Sequence, residues 1–351
     1  MESSNLLPLA LGLIIFSFMV TSLLVVPFIN LLYKLKLTRK KEAPKNGIVP
    51  LFDKLHDIKA GTPIGGGILL IAIVSLLFAL ILPLVSYLGV YIHSSYNLDR
   101  EVFKIFFTFI SFGALGLLDD IVKIFGKPQK GRLGIAFGLT RKQKFFLQWV
   151  LAFIVGYLLY SNLGINIVHI PILNITVNMG VLYIPFAAFT IVTFTNAFNV
   201  TDGLDGLSCG LLMIFLFAFS IIAVAIVDTP LWIFIGLWLG AIIAFLYFNT
   251  YPARVMLGDA GALSFGATIA VIGLLTGKVF ALYVIGGLFL IEILSSAVQI
   301  LGWKVYKRPI LPLAPIHNAF LAGGWEEPKI VMRAWLAGIV LAIFGLWLAS
   351  I

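Results

Sequence analysis

Long apolar segments separated by short polar loops run through the whole chain of 351 residues. A helix that crosses a bilayer needs about 20 predominantly apolar residues, and ten segments meet or approach that length. They are residues 7–32, 65–92, 102–118, 145–162, 181–198, 207–227, 231–248, 261–276, 279–302 and 330–350. The pattern predicts an all-α polytopic membrane protein with about ten transmembrane helices, and we treat residues 1–351 as a single integral-membrane domain. Residues 165–178 alternate β-branched residues with turn formers, which predicts a short outer β-hairpin.

The composition supports a membrane protein, and the charge pattern orients the chain. Hydrophobic residues make up 61 % and charged residues 11 %, whereas soluble domains have roughly 45–50 % and about 25 %. Of the 24 lysines and arginines, all but Arg100, Lys104 and Lys278 lie on one side of the predicted membrane. By the positive-inside rule this side is cytoplasmic, so both termini are expected outside. Because these basic residues are loop charges, the net charge of +9 does not indicate a nucleic-acid partner.

Five aspartates at the predicted cytoplasmic ends of apolar segments are the most informative polar residues. They are Asp119 and Asp120 in GLLDDIVK, Asp202 and Asp205 in NAFNVTDGLDGL, and Asp259 in VMLGDAGAL, and they make up a third of the 15 acidic residues. Carboxylates beside hydrocarbon are costly and mark functional sites in membrane proteins. Clustered oxygen ligands suit a hard divalent cation, which can bridge to a phosphate. The three motifs therefore predict a metal-dependent membrane enzyme that acts on a phosphorylated substrate.

Spacing within the motifs predicts how the aspartates divide their roles. Adjacent Asp119 and Asp120 point in different directions at a helix end, so they cannot chelate one ion equally. Asp202 and Asp205 share a face if their segment is helical, although the glycine after each of them indicates a tight, partly irregular turn. A carboxylate that caps a helix N-terminus is the common structural alternative for such motifs.

As a set, six motifs resemble those of the polyprenyl-phosphate N-acetylhexosamine-1-phosphate transferases. The motifs are HDIKAGTPIGGG (56–67), GLLDDIVK (116–123), NAFNVTDGLDGL (196–207), NTYPARVMLGDAGAL (249–263), EILSSAVQ (292–299) and APIHNAFLAGGWEEPKIVMRAW (314–335). The likeness covers nearly the whole chain. The first and last motifs favour the branch of the family that acts on muramoyl-pentapeptide over relatives that act on N-acetylglucosamine.

The resemblance implies a reaction and a cellular setting. Phospho-MurNAc-pentapeptide would move from UDP-MurNAc-pentapeptide to undecaprenyl phosphate, giving lipid I and UMP, with Mg²⁺ as the cofactor. The setting would be the bacterial cytoplasmic (inner) membrane, with the active site facing the cytoplasm and with a homodimer as a common state in the family. The alternatives are a sister transferase that moves another UDP-N-acetylhexosamine 1-phosphate, such as GlcNAc-1-phosphate, an inactive homologue and, more remotely, a transporter. Transporters often show repeated halves, and the sequence shows no such repeat.

Carried over position by position, the resemblance implies roles for individual residues. Asp259 matches the metal ligand, with Asp202 as a second ligand, and Asp119 matches the group that would deprotonate the lipid phosphate. The implied catalytic residues are Asp119, Asp120, Asp202, Lys123, Lys144 and His317, and the implied substrate-binding residues are Lys59, Thr62, Asn199, Asp205, Asn249, Gln299 and Asn318. One departure is that the family's three successive histidines are replaced by His317, Asn318 and Ala319. The other is a longer loop over residues 124–143, which bears on the match of Lys144.

Overall fold

A computed structural model describes residues 6–39, 59–125 and 140–351. Motif residues 56–58, including His56, lie outside these ranges. Within them the chain forms twelve α-helices, one two-stranded sheet and a 3-10 turn at Gly180–Leu182. The helices are α1 Leu6–Lys34, α2 Gly66–Tyr87, α3 Leu98–Phe125, α4 Arg141–Leu163, α5 Tyr183–Thr201, α6 Leu207–Ala225, α7 Thr229–Asn249, α8 Gly258–Leu275, α9 Val279–Ile285, α10 Gly287–Val305, α11 Ile316–Ala322 and α12 Glu327–Ser350.

Ten of the helices in the described ranges are long and apolar enough to cross a membrane. They are α1 to α8, α10 and α12, which confirms the predicted number of spans. The sheet pairs β1 (Ile167–Ile170) with β2 (Ile175–Asn178) in antiparallel register, so that Ile167 lies opposite Asn178. This confirms the predicted hairpin between the fourth and fifth spans.

Several predicted boundaries were wrong, among them the end of the second segment, which was predicted at 92 and lies at Tyr87. The single segment predicted at 279–302 is divided into α9 and α10 at Gly286. A Cβ atom on Gly286 would lie 2.4 Å from the Phe194 ring, so the chain needs a glycine at this tight contact. The third segment was predicted to end at 118, but α3 continues to Phe125. The helix therefore extends past its apolar run and carries Asp119 and Asp120 within it rather than at its end.

Helices α7 and α8 form the centre of the bundle. The most apolar window of α8 is 89 % buried and that of α7 is 83 % buried, whereas the values for α1 and α10 are 22 % and 17 %. Helix α8 packs most extensively against α3 and α5, and the rings of Phe109, Trp238 and Phe265 fill the space between α3, α7 and α8. Helices that are apolar on all sides are expected in such a buried position, and α1 and α10 are left to face lipid.

Glycines bring α2, α3 and α8 close together at the end of the bundle that carries the acidic motifs. A Cβ atom on Gly116 of α3 would lie 2.1 Å from the carbonyl oxygen of Asp259. A Cβ atom on Gly67 of α2 would lie 2.3 Å from the backbone nitrogen of Gly261 in α8. Small residues allow this close helix packing in membrane proteins. The consequence is that the first turn of α8 lies directly beside the last turns of α3.

Candidate active site

Asp120 binds the N-terminus of α8. Its carboxylate oxygens accept hydrogen bonds from the backbone nitrogens of Asp259 at 3.1 Å and Ala260 at 3.0 Å. The first amides of a helix have no partner within the helix, and a carboxylate there also interacts favourably with the helix dipole. Asp120 therefore caps a neighbouring helix and fixes the position of Asp259, which is a structural role.

Asp119 points away from Asp120, as predicted, into a cluster of carboxylates and lysines. Oδ2 of Asp119 lies 2.9 Å from Nζ of both Lys123 and Lys144. Oδ2 of Asp259 lies 2.5 Å from Nζ of Lys144 and also binds Lys123. Asn199 donates from Nδ2 to Oδ1 of Asp259 at 2.9 Å. We call these five residues the carboxylate–lysine cluster. Lys144, which follows the long loop, lies in it beside Asp119 and Asp259.

Exposure differs sharply within the carboxylate–lysine cluster. The side chain of Asp119 is 1 % exposed, that of Asp259 is 15 % exposed and that of Lys123 is 37 % exposed. An incoming anion would therefore meet Lys123 first, and it would reach Asp119 only after the lysines move. The cluster presents positive charge to the solvent and keeps its negative charge underneath.

Asp202 and Asp205 lie on different sides of a turn. Helix α5 ends at Thr201, and Gly206 has a φ of 78°, a left-handed conformation that favours glycine. The segment is therefore not helical, so the condition for a shared helical face is not met, whereas the predicted irregular turn is confirmed. Asp202 accepts a hydrogen bond from Ser208 Oγ at 2.5 Å, and burial raises its pKa to about 7.

Asp205 belongs to a second polar cluster, which we call the turn cluster and which consists of Lys59, Asp205 and Glu327. Nζ of Lys59 lies 2.8 Å from Oδ1 of Asp205 and 2.5 Å from Oε1 of Glu327. The same Glu327 oxygen accepts a hydrogen bond from the backbone nitrogen of Asp205 at 2.6 Å. Oδ2 of Asp205 accepts one from the backbone nitrogen of Ala253 at 2.9 Å. Residues from three other parts of the chain thus hold the turn over 202–206.

Glu327 was missed by the sequence analysis, although it stands in the quoted GGWEEP stretch. The signal was an acidic residue in the first turn of the last span, directly before an apolar run. A carboxylate at that position is usually explained by the helix dipole. Nothing in the local sequence relates Glu327 to Lys59, which lies 268 residues earlier.

His317 forms a buried pair with Glu292. Its Nδ1 lies 2.9 Å from Oε2 of Glu292, and its side chain is 2 % exposed. The Nε2 edge of the ring packs on Gly203, where a Cβ atom would approach to 2.5 Å. The His317 imidazole therefore also packs on the 202–206 turn, and Asn318 beside it is also buried.

The remaining predicted substrate residues are occupied by backbone contacts. Gln299 donates to the carbonyl of Leu311 at 3.0 Å and accepts from the nitrogens of Ile310 and Leu311 at 3.0 and 2.9 Å. Asn249 donates to the carbonyl of Val255 at 2.9 Å, and the backbone nitrogen of Thr62 donates to the carbonyl of Lys59 at 3.3 Å. The structure thus gives Gln299 a loop-holding role, whereas Asn249 and Thr62 lie in segments adjoining the turn cluster.

The donor set suits a hard divalent cation in atom type and in charge. Within the described residues no three His, Cys, Asp or Glu side chains surround one point as a ligand set. However, the four aspartates at positions 119, 120, 202 and 259, when ionised, exceed Lys123 and Lys144 by two negative charges. Oδ2 of Asp259, whose side chain is 15 % exposed, is held by two ammonium groups. When ionised, these carboxylates therefore favour a cation beneath the exposed Lys123, and carboxylate and amide oxygens are the ligands that Mg²⁺ prefers.

Comparisons with known proteins agree with this architecture. The sequence profile of Glycosyl transferase family 4 matches residues 102–277. Phospho-N-acetylmuramoyl-pentapeptide-transferase from Halalkalibacterium halodurans is 35 % identical over 341 residues, covering 95 % of this chain and 96 % of the relative. The enzymes of the same name from Geobacillus sp. and Clostridium perfringens are 33 % and 36 % identical, covering 95 % and 91 % of this chain and 96 % and 92 % of the relatives.

Together with the bundle of apolar helices, whose acidic and basic side chains converge at one end, these relatives identify an integral-membrane transferase of the phosphoglycosyl class. The similarity extends over nearly the full length of both this chain and its relatives. The chain belongs to Glycosyl transferase family 4 and, within it, to the phospho-N-acetylmuramoyl-pentapeptide-transferase family.

Proposed function

We propose that this protein transfers phospho-MurNAc-pentapeptide from UDP-MurNAc-pentapeptide to undecaprenyl phosphate, giving lipid I and UMP for peptidoglycan synthesis. The observation that carries the proposal is the carboxylate–lysine cluster at one end of a membrane-spanning bundle. The names of the relatives support the muramoyl donor over a sister transferase that uses UDP-GlcNAc. The one-sided aspartates argue against a transporter, because carriers place ionisable residues near the midplane of the membrane.

Phosphoryl transfer depends mostly on positioning and on neutralising charge. In the proposed reaction an oxygen of the lipid phosphate attacks the β-phosphorus of the donor. The bond from this phosphorus to the bridging oxygen breaks, and UMP leaves with the electron pair. Lys123 and Lys144 lie where they would neutralise the diphosphate, and their release from Asp119 would let this carboxylate accept a proton from the lipid phosphate. Since a phosphate monoester has a second pKa of about 6, little general-base catalysis is needed at neutral pH.

Direct attack fits the burial of the carboxylates better than a two-step route through an aspartyl-phosphate. A nucleophilic carboxylate needs an oxygen that the donor can reach. Asp119 is 1 % exposed and ion-paired, and both oxygens of Asp120 accept backbone hydrogen bonds. Neither aspartate therefore presents a free oxygen, and we assign the attack to the lipid phosphate.

We assign the proposed cofactor, Mg²⁺, to Asp259 and Asp202. When bound, the ion would polarise the diphosphate oxygens as a Lewis acid. Asn199 would keep Asp259 in its orientation through their hydrogen bond. The donor nucleotide would occupy the side of the site formed by the turn cluster, Thr62 and Asn249, and Asn318 would contribute through the same turn.

The proposed location is the bacterial cytoplasmic (inner) membrane, with the active site facing the cytoplasm and both termini outside. The basic loops at the acidic end of the bundle support this orientation through the positive-inside rule. A homodimer is proposed from family resemblance alone.

UMP release by the purified protein tests the reaction. The assay contains undecaprenyl phosphate and Mg²⁺, with UDP-MurNAc-pentapeptide and UDP-GlcNAc compared as donors. We expect turnover of the muramoyl donor alone and its loss in Asp259→Ala, whereas Asp99→Ala, which removes an exposed carboxylate in the first turn of α3, keeps it. Turnover of UDP-GlcNAc instead would move the protein to the sister transferases, and no turnover with either donor would contradict the proposal.

A further inference from the structure

Glu327 connects the last membrane span to two distant parts of the candidate site. It lies in the first turn of α12, and its side chain is 11 % exposed. Its Oε1 accepts from Nζ of Lys59 at 2.5 Å and from the backbone nitrogen of Asp205 at 2.6 Å. One carboxylate oxygen therefore fixes both a lysine side chain and the backbone of the 202–206 turn.

The conformation of Asp205 depends on that oxygen. Asp205 is 7 % exposed, and its carboxylate is engaged by Lys59 and by the backbone nitrogen of Ala253. Within the described part of the chain, the backbone nitrogen of Asp205 donates its hydrogen bond to Glu327. Removing the acceptor would leave a poorly solvated donor, which is costly, so the turn would rearrange to recover a partner. Such a rearrangement would move Asp205 away from Lys59.

The charges indicate that Glu327 acts through its neighbours. Lys59 carries one positive charge between the two carboxylates of Asp205 and Glu327, so the turn cluster has an excess of one negative charge. A second carboxylate is unfavourable for direct contact with an anionic donor. Its contribution is therefore to hold Lys59 and Asp205 in place.

We propose that Glu327 is a positioning residue for the donor substrate, a role that rests on the proposed function. Its two contacts fix Lys59 and Asp205 on the donor side of the site. None of its hydrogen bonds or ion pairs reaches the carboxylate–lysine cluster, which faces the reacting phosphates. Loss of Glu327 therefore weakens donor binding and leaves the affinity for the lipid acceptor unchanged.

Three variants of Glu327 and one neighbouring control test the role. Glu327→Leu removes both acceptor contacts, Glu327→Asp keeps the charge but shortens the reach, and Glu327→Gln keeps a neutral oxygen. Glu326→Gln is the matched control, because Glu326 is exposed and its side chain makes no cap hydrogen bond. The measurements are KM for UDP-MurNAc-pentapeptide, KM for undecaprenyl phosphate, kcat, and Kd for UMP by calorimetry.

We expect Glu327→Leu and Glu327→Asp to raise the donor KM and the UMP Kd by about tenfold, as the loss of one buried hydrogen-bond acceptor predicts. The lipid KM is expected to stay within about twofold, and Glu327→Gln is expected to recover most of the donor affinity because an amide oxygen still accepts both bonds. Glu326→Gln is expected to match the wild type.

Two results would overturn the positioning role. One is an unchanged donor KM and UMP Kd in the Leu and Asp variants. The other is an equal rise of both KM values together with a lower melting temperature, which would indicate a general structural role. The UMP measurement separates this proposal from the proposed function, because a wild-type protein without transferase activity can still bind UMP at the turn cluster. A wild-type protein that binds no UMP would overturn both.

Discussion

Replacing Gly116 by alanine tests whether the contact between α3 and α8 positions the reacting groups. A Cβ atom at this position would lie 2.1 Å from the carbonyl oxygen of Asp259, 2.4 Å from its carbonyl carbon and 2.6 Å from Cα of Ala260. All three atoms are backbone, so no side-chain rotation relieves the overlap. The oxygen contact must lengthen by about 1.3 Å to reach 3.4 Å, where ordinary van der Waals contact begins.

The displacement falls on the residues that carry the proposed chemistry. Asp119 lies one turn after Gly116, and Asp259 provides the clashing carbonyl group. Overpacking a core costs about 1–3 kcal/mol, against which the better helix propensity of alanine returns about 1 kcal/mol. A misplacement of about 1 Å between reacting groups reduces activity by about 100-fold. We therefore expect a large loss of kcat with a small loss of stability.

Gly113→Ala is the matched control on the same helix. A Cβ atom there would meet the end of the Ile71 side chain at 2.7 Å, while its next neighbours lie beyond 3.5 Å. Because Ile71 is only half-buried, it can turn aside, and this variant should keep both activity and melting temperature. Rates of UMP release and melting temperatures in detergent are measured for both variants. A Gly116→Ala protein with more than half of the wild-type kcat would refute the reasoning.

Three further predictions concern the carboxylate–lysine cluster, the His317–Glu292 pair and the proposed metal. Asp259→Asn should lower UMP release by at least about 100-fold. It should also lower the melting temperature, because Lys123 and Lys144 lose a charged partner. Unchanged values in both assays would contradict the role assigned to the carboxylate–lysine cluster. Glu292→Leu should reduce kcat more strongly than Glu292→Gln, since only the amide can still accept from His317 Nδ1, and equal rates would argue against this pair. EDTA should abolish turnover but leave the melting temperature nearly unchanged, because Lys123 and Lys144 still pair with Asp119 and Asp259. Turnover that persists in EDTA would exclude the metal.

The membrane fold could be predicted from the sequence because apolar length is a direct physical requirement of the bilayer. The limits of the helices were less accessible. Helix α3 continues past residue 118, where Asp119 and Lys123 form an ion pair one turn apart, which contributes a few tenths of a kcal/mol to the helix. The ninth span is divided at Gly286, which is followed by a second glycine and packs against Phe194, a contact that no local pattern contains.

The candidate site was predictable in its parts and unpredictable in its connections. The aspartates could be found because charge is rare beside hydrocarbon. Their partners could not, because Lys59 and Glu327 meet only after the first loop and the last span fold together. The roles also divided differently from the motifs. Asp202 and Asp205 are close in sequence, and yet Asp202 binds the Ser208 hydroxyl whereas Asp205 belongs to the turn cluster.

The altered histidine motif can now be related to the fold. Where the family pattern has three successive histidines, this chain has His317, Asn318 and Ala319. His317 pairs with Glu292 and packs on Gly203, and the side chains at 317 and 318 are 2 % and 1 % exposed. The imidazole that remains is therefore the one that supports the 202–206 turn. Asn318 fills the other buried position with an amide, which can both donate and accept hydrogen bonds. Ala319 is only half-buried. The alanine therefore replaces a histidine at a position where the fold does not require a buried polar side chain. The proposed reaction depends on the first of these positions through the turn, and the loss of an imidazole at the third leaves that support intact.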